Sequence, residues 1–134
     1  MEEILGFITD FFQVNDFFKT FYEIIFTNRR ILIVKSGETF RAFFASADIA
    51  YAKREQLKKM NIQNILREFE VVGSIDYSEV ENIQLRKRNF VKNATLKINS
   101  KNEKKVFYSG KEGSFDEYNE IFEKIVPPFK YSIA

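Results

Sequence analysis

The feature that most constrains the fold is a pair of apolar runs separated by a short polar turn. Residues 21–36 are FYEIIFTNRRILIVKS, in which the polar residues Thr27 to Arg30 stand between two runs rich in β-branched and aromatic side chains. Such side chains suit a pleated, half-buried surface, and this arrangement is typical of a β-hairpin. The run from Ile31 to Val34 is apolar on both faces, which favours the centre of a sheet. The sequence therefore predicts a central β-hairpin in a mainly β fold.

Length and composition predict a single folded domain over residues 1–134. Hydrophobic residues make up 45% and charged residues 30% of the chain, and a chain of this length buries roughly two thirds of its unfolded surface in one core. No apolar run approaches the roughly 20 residues of a membrane span. The acidic start, Met1 to Glu3, lacks the form of a secretory signal. We therefore expect a soluble, cytoplasmic protein without a transmembrane segment.

The chain contains neither cysteine nor histidine. This excludes disulfides, thiol nucleophiles and Cys-based zinc sites, and it removes the commonest general base and transition-metal ligand. Carboxylates cluster as Asp76, Glu79 and Glu81 and again as Glu68 and Glu70. A general acid and base need convergent placement and perturbed pKa values, which adjacent surface positions do not supply. We predict a non-enzymatic protein with no catalytic residues, no metal site and no cofactor.

Residues 4–14, ILGFITDFFQV, fit two interpretations. The apolar side chains of Ile4, Leu5, Ile8, Phe11 and Phe12 could line one face of a helix, whereas the β-rich composition suits a strand. We favour a strand, and a helix is the alternative.

Residues 41–70 change to a helical period. Apolar side chains recur at spacings of three and four residues, at Ile62, Ile65, Leu66 and Phe69. Asp48 is a candidate cap for the start, and Asn61 a candidate break into two helices, because Asn favours caps over helix interiors. Such a segment either docks on the fold as an ordinary amphipathic helix or presents an interaction surface. The candidate interaction residues are Phe43, Phe44, Lys58 and Lys59, with core positions as the alternative for the two Phe.

The rest of the chain predicts a meander of strands and a final helix. Strand patterns cover residues 74–77, 80–88, 94–99 and 105–109, with polar turns at 89–92 and 100–104. Ser114 and Glu117 have the spacing of a capping box, and Pro127 prevents continuation of the apolar face that follows. These signals predict a helix over residues 115–126, packed on the sheet.

Two strings in the sequence resemble a known family. IIFTNRRILIVKSG, at 24–37, resembles the hairpin of bacterial pleckstrin-homology-like (PH-like) domains and of the related GRAM domains. GSIDYSEVENIQL, at 73–85, resembles the passage from their fourth to their fifth strand. The resemblance implies a partly open barrel of about seven antiparallel strands in two near-orthogonal sheets, closed at one end by the final helix. Residues 41–70 would then be a helical insertion after the third strand.

The family pattern also implies where this chain departs from its relatives. In phosphoinositide-binding members, basic residues in the first inter-strand loop hold the phosphates at the open end of the barrel. The corresponding residues 13–19 contain one Lys and one Asp here. The insertion would leave from the same open end, where it can cover or rebuild the usual ligand mouth.

The resemblance implies a binding module, and we predict protein–protein interaction or self-association, because some bacterial relatives form ring oligomers. The net charge of +2 does not by itself favour an anionic partner. Local charge favours an alternative, the binding of anionic membrane lipids through the basic hairpin RKRNFVK at 86–92. Nucleic acid bound by the same hairpin is a third possibility, and a solvated turn whose charges discourage edge pairing is the non-functional alternative. The candidate anion-binding residues are Arg29, Arg30, Arg86, Lys87, Arg88 and Lys92.

Overall fold

The computed structural model describes residues 2–15, 17–40, 55–110, 116–125 and 130–133. These residues contain eight strands, two helices whose bounds are described, three further helical residues at 55–57, and a short 3-10 turn at Tyr77–Glu79. The strands are β1 (Ile4–Val14), β2 (Phe18–Thr27), β3 (Arg30–Phe40), β4 (Glu70–Asp76), β5 (Val80–Arg86), β6 (Ala94–Ser100), β7 (Lys104–Ser109) and β8 (Lys130–Ile133). The helices are α1 (Ile62–Glu68) and α2 (Asp116–Lys124).

All eight strands belong to one sheet with the order β4-β3-β2-β1-β7-β6-β5-β8. Neighbours pair antiparallel, except that β8 runs parallel to β5. The sheet is open, because no pairing among the described residues joins β4 to β8. The prediction of a mainly β fold is therefore confirmed. The strand count differs from the expected seven or so, because β8 follows the final helix and was not predicted.

The predicted hairpin and the predicted first strand are both confirmed. β2 and β3 pair from Phe26 opposite Ile31 along their whole length. In the turn between them, the Thr27 hydroxyl oxygen accepts hydrogen bonds from the backbone amides of Arg29 and Arg30, both at 3.0 Å. Residues 4–14 form a strand, so the helical alternative for them is wrong.

The helical insertion ends before residue 70, the boundary that the sequence predicts. Helix α1 ends at Glu68, and Glu70 already begins β4, because Phe69 is in an extended conformation. The break at Asn61 is confirmed, since its side-chain oxygen caps α1 by accepting a hydrogen bond from the amide of Asn64 at 2.9 Å. Residues 41–54, with Phe43, Phe44 and the candidate cap Asp48, lie outside the described residues.

Other predicted boundaries shift by a few residues. The strand expected at 74–77 is part of β4, which ends at Asp76 where the 3-10 turn begins. The strand expected to reach residue 88 ends at Arg86. The final helix is described over Asp116–Lys124, and the Ser114 end of its capping box lies outside the described residues.

Apolar clusters lie on both faces of the sheet. The larger cluster, on the face that we call inner, joins side chains from every strand to Tyr118, Ile121 and Phe122 of α2. The smaller cluster, on the outer face, packs Ile25, Leu32 and Val34 of β2 and β3 against Leu57, Ile62 and Ile65 of the insertion. Because successive strand residues point to opposite faces, the described part of the insertion and α2 lie on opposite sides of the sheet.

Candidate functional site

Among the described residues, one part of the outer face is covered by a helix and the other is not. The insertion covers β2 and β3 near Ile25 and Leu32. No described helix packs on the outer face of β7, β6 and β5, nor on the adjoining ends of β1 and β2. Strand register places fourteen described side chains on this uncovered part, which we call the basic face.

The first row of the basic face crosses five strands. Along this row, Phe21 pairs with Phe12, and Phe12 pairs with Tyr108. Tyr108 in turn pairs with Thr95, and Thr95 pairs with Arg86. Tyr108 is 41% exposed, and the two Phe side chains are half-buried. Neighbouring strands lie about 4.8 Å apart, so the three aromatic side chains form one continuous surface.

Two further rows complete the basic face. The second contains Lys19, Val14, Val106, Lys97, Gln84 and Ser132, and the third Lys104, Asn99 and Asn82. The Asn99 side-chain amide donates to the Asn82 side-chain oxygen at 2.6 Å. None of the fourteen positions holds Asp or Glu, although the chain has 19 acidic and 21 basic residues. The four cations of the face are therefore not neutralised within it.

The aromatic rings of the first row contact one another and a lysine. The Phe12 ring centroid lies 6.2 Å from that of Phe21 and 6.4 Å from that of Tyr108. Lys19 Nζ lies 4.2 Å from the Phe12 centroid and 5.2 Å from the Phe21 centroid. An ammonium group at these distances is attracted to the ring faces. At the opposite end of the row, Arg86 Nε is buried and has no hydrogen-bond partner among the described residues.

The predicted basic hairpin forms a separate projection, the hairpin tip, at residues 87–93 between β5 and β6. The Asn89 side-chain oxygen accepts from the amides of Val91 and Lys92 at 2.9 and 2.8 Å, and the Asn89 amide donates to the Lys92 carbonyl at 3.0 Å. These bonds shape the turn, so that Phe90 is fully exposed and Val91 is 86% exposed.

The candidate cations at the hairpin tip have different surroundings. Lys87, Arg88 and Lys92 are exposed, and Arg88 donates from Nη1 to the Gly110 carbonyl at 3.0 Å. Arg86, which precedes the tip, is half-buried and lies on the basic face. The tip therefore combines two exposed apolar side chains with three exposed cations.

The other candidate pair, Arg29 and Arg30, lies at the turn between β2 and β3 rather than at the hairpin tip. Arg30 binds Glu2 through Nε and Nη2, and it donates from Nη1 to the Ser74 hydroxyl at 3.3 Å. The hydrogen bonds from Arg30 hold the pKa of Glu2 below its ordinary value, and the same interaction raises the pKa of Arg30. Arg30 is thus occupied within the fold, whereas Arg29 is exposed.

A groove of about 860 Å³ lies beside α1. Its apolar lining is formed by Ile4, Met60, Ile62 and Leu66, and Glu2, Glu3 and Arg29 supply charge. Leu66 is 41% exposed. Of the predicted interaction residues, Lys58 and Lys59 are exposed in the turn before α1, and Lys58 lies 3.8 Å from Glu55.

Sequence reasoning missed the aromatic residues of the basic face. The sequence places Phe12 on an apolar face only in the helical alternative for residues 4–14, and its strand patterns single out neither Phe21 nor Tyr108. Two signals were present: Lys19 and Phe21 stand two apart, as do Val106 and Tyr108, so each pair shares a face of its strand. To recognise that these side chains form one surface, one must also know the register between the strands, which the sequence does not show.

Neither described helix has the length and apolar character of a membrane span. Within the described residues, no group of three or more acidic side chains is placed to share a metal ion. A scan against models of protein families finds no match, and searches of curated proteins and of solved structures find no similar protein.

Proposed function

We propose that the chain is a non-enzymatic binding module of the PH-like type. A run of seven antiparallel strands followed by a helix that packs into the inner cluster supports this proposal. The parallel strand β8 is an addition to the expected pattern.

The binding function that the geometry supports best is peripheral attachment to an anionic membrane surface through the hairpin tip. One observation carries this proposal: Phe90 and Val91 project at the apex of a turn that also presents Lys87, Arg88 and Lys92. Transfer of a Phe or Val side chain from water into an apolar medium contributes about 1.5–3 kcal/mol. Each Lys or Arg near an anionic leaflet adds about 1 kcal/mol. Together these contributions are sufficient for reversible attachment.

The tip is also shaped before it binds. The three hydrogen bonds of Asn89 hold the turn in the conformation that exposes Phe90 and Val91. A preformed turn loses less conformational freedom on binding than a disordered loop does.

Vesicle sedimentation tests this proposal. We expect the protein to sediment with vesicles of mixed phosphatidylcholine and phosphatidylserine and to remain free with phosphatidylcholine alone. Phe90→Ser and Arg88→Glu should each weaken binding about tenfold, which corresponds to about 1.4 kcal/mol. Val72→Ser is the matched control, because Val72 is an exposed apolar residue of β4 away from the tip. Membrane attachment through the tip would be disproved if vesicle binding changed neither with the content of anionic lipid nor in the Phe90→Ser and Arg88→Glu variants.

Protein interaction, including self-association, is the second candidate function. The groove beside α1 favours it, because Ile4, Met60 and Ile62 line a concave apolar surface. A two-fold contact sets the same patch of each copy against the other, so Leu66 at the rim of the groove can enter the groove of a second copy. Light scattering over a range of concentrations should show a dimer that Leu66→Glu dissociates. A monomer at every concentration would remove self-association from the proposal.

A further inference from the structure

We infer that the basic face is a binding site for single-stranded nucleic acid, separate from the hairpin tip. The inference goes beyond membrane attachment and rests on different side chains. Its basis is the coincidence of three features on one sheet face: aromatic rings in a row, cations without carboxylates, and amide side chains.

The aromatic row supplies a surface on which bases can stack. Phe21, Phe12 and Tyr108 follow one another across β2, β1 and β7. The ring of Tyr108 is the most exposed of the three. Base–aromatic stacking contributes about 1–3 kcal/mol per base and tolerates any sequence, because every base has a π-face. Stacking of this kind requires unpaired bases, which a duplex does not offer.

Cations flank the row where a backbone of phosphates would pass. Lys19 lies over the rings of Phe12 and Phe21, and Arg86 ends the row on β5. Lys97 and Lys104 extend the positive charge over the next two rows. Two acidic residues adjoin the third row in sequence: Glu81, at the β5 bulge before Asn82, and Glu103, in the turn before β7. Glu103 Oε1 lies 3.7 Å from Lys105 Nζ, and Lys105 is not one of the fourteen positions of the face. The charge of the face thus complements a polyanion.

Polar side chains occupy the remaining centre of the face. Gln84 on β5 is exposed, and Asn82 and Asn99 are half-buried beside it. Amide groups both donate and accept hydrogen bonds, so they can pair with base edges. An apolar membrane interface would leave these groups without partners, which favours nucleic acid as the occupant of this face.

Fluorescence anisotropy with labelled oligonucleotides tests the inference. The probes are oligouridylate, oligothymidylate and a DNA duplex of equal length at low salt. We expect both single strands to bind and the duplex to bind more weakly. A preference for oligouridylate would assign the site to RNA, a preference for oligothymidylate to DNA, and equal affinity to single strands of either kind.

Variants on the basic face separate stacking from general charge attraction. Tyr108→Ala should weaken single-strand binding about tenfold, within the range for loss of one stacked base, whereas Tyr108→Phe should retain it. Lys97→Glu should weaken binding. It should also reduce the slope of log K against log salt concentration by at least about 0.7, the value for one phosphate contact on a single strand. Lys124→Glu is the charge-matched control, because Lys124 is exposed on α2 and away from the face; it should bind as the unaltered protein does.

Three results would overturn the inference. The first is that no probe changes the anisotropy at low salt. The second is that the duplex and the single strands bind equally well. The third is that the Tyr108→Ala variant binds single strands as tightly as the unaltered protein does. Circular dichroism of each variant checks folding, and Tyr108 and Lys97 lie on the sheet surface rather than in either apolar cluster. The vesicle experiment has its own variants, so each proposal fails or stands independently.

Discussion

Glu2 and Arg30, 28 residues apart in the chain, form a two-pronged ion pair: Arg30 Nε donates to Oε2 at 2.9 Å and Nη2 donates to Oε1 at 3.0 Å. The Thr27 hydroxyl also donates to Glu2 Oε2 at 2.7 Å. Only 11% of the Glu2 side chain is exposed. The pair therefore connects the residues before β1 to the turn between β2 and β3. Charge-assisted hydrogen bonds of this geometry are stronger than neutral ones.

Replacing Glu2 should lower stability in a pH-dependent way. The hydrogen bonds from Arg30 lower the Glu2 pKa from its ordinary value of 4.5. Because the folded pKa is depressed, the stabilisation is fully present above about 4.5 and is lost as the pH falls through the folded value. Glu2→Gln should reduce the free energy of unfolding by about 1–2 kcal/mol at neutral pH. The difference from the unaltered protein should shrink in acid.

Urea denaturation at several pH values measures this effect. Glu3→Gln is the control, because the hydrogen bonds of Glu3 to Asn28 use its backbone amide and carbonyl. A stability difference for Glu2→Gln that stays constant down to strongly acidic pH would contradict the role given to the pair.

Tyr77 should stabilise the fold through its hydroxyl group. Tyr77 is buried in the inner cluster, and its hydroxyl donates to the Thr27 carbonyl at 2.5 Å. Burial raises the pKa of the Tyr77 phenol, so the hydroxyl stays protonated and able to donate. Tyr77→Phe leaves a buried carbonyl with one donor fewer and should cost about 1–2 kcal/mol. Tyr108→Phe, at an exposed ring, should cost nothing measurable in the same urea titration, and equal costs for the two variants would refute the prediction.

Gly6 allows α2 to approach β1 closely. A Cβ at Gly6 would lie 2.5 Å from Ile121 Cγ1 and 2.6 Å from Ile121 Cδ1, so the Ile121 side chain would have to move. Overpacking of this kind costs about 1–3 kcal/mol, and we expect that loss for Gly6→Ala in thermal and urea unfolding.

Two further variants check the cause of the Gly6→Ala effect. Gly110→Ala should be nearly neutral, because a Cβ there meets nothing within 4 Å. In a Gly6→Ala, Ile121→Ala double variant, loss of the Cγ1 and Cδ1 atoms that meet the new Cβ should make the two costs less than additive. Strict additivity would show that the Ile121 contact is not the cause.

The sequence predicted the elements whose side-chain pattern is local. Ile31 to Val34 is apolar on both faces, and the structure gives the reason: Ile31 and Ile33 face the inner cluster, while Leu32 and Val34 are covered by the insertion. The Asn61 break was also predictable, because a side-chain cap acts within three residues.

Features that depend on register or distant pairing could not be predicted. β8 has only four residues and is placed by parallel pairing with β5, more than forty positions earlier. The helix end was missed because Phe69 continues the apolar spacing, although its backbone is extended and its side chain packs against the outer cluster. The aromatic row depends on a bulge in β1 between Ile8 and Phe11, which determines that Phe12 lies opposite Phe21. A bulge changes which residues oppose each other, and the sequence does not mark it.

Adjacent residues of α1 should differ sharply in their contribution to stability. Ile65 is fully buried against β2 and β3 in the outer cluster, whereas Leu66 is 41% exposed at the groove. Ile65→Ala should cost about 2–4 kcal/mol, because it removes buried methyl groups and leaves a cavity. Leu66→Ala removes less buried surface and should cost less than about 1 kcal/mol. Urea unfolding of the two variants measures the difference, and hydrogen exchange at the Leu32 and Val34 amides reports whether the strands beneath α1 lose protection. Similar costs for both substitutions would mean that α1 does not pack on the outer face of the sheet as described.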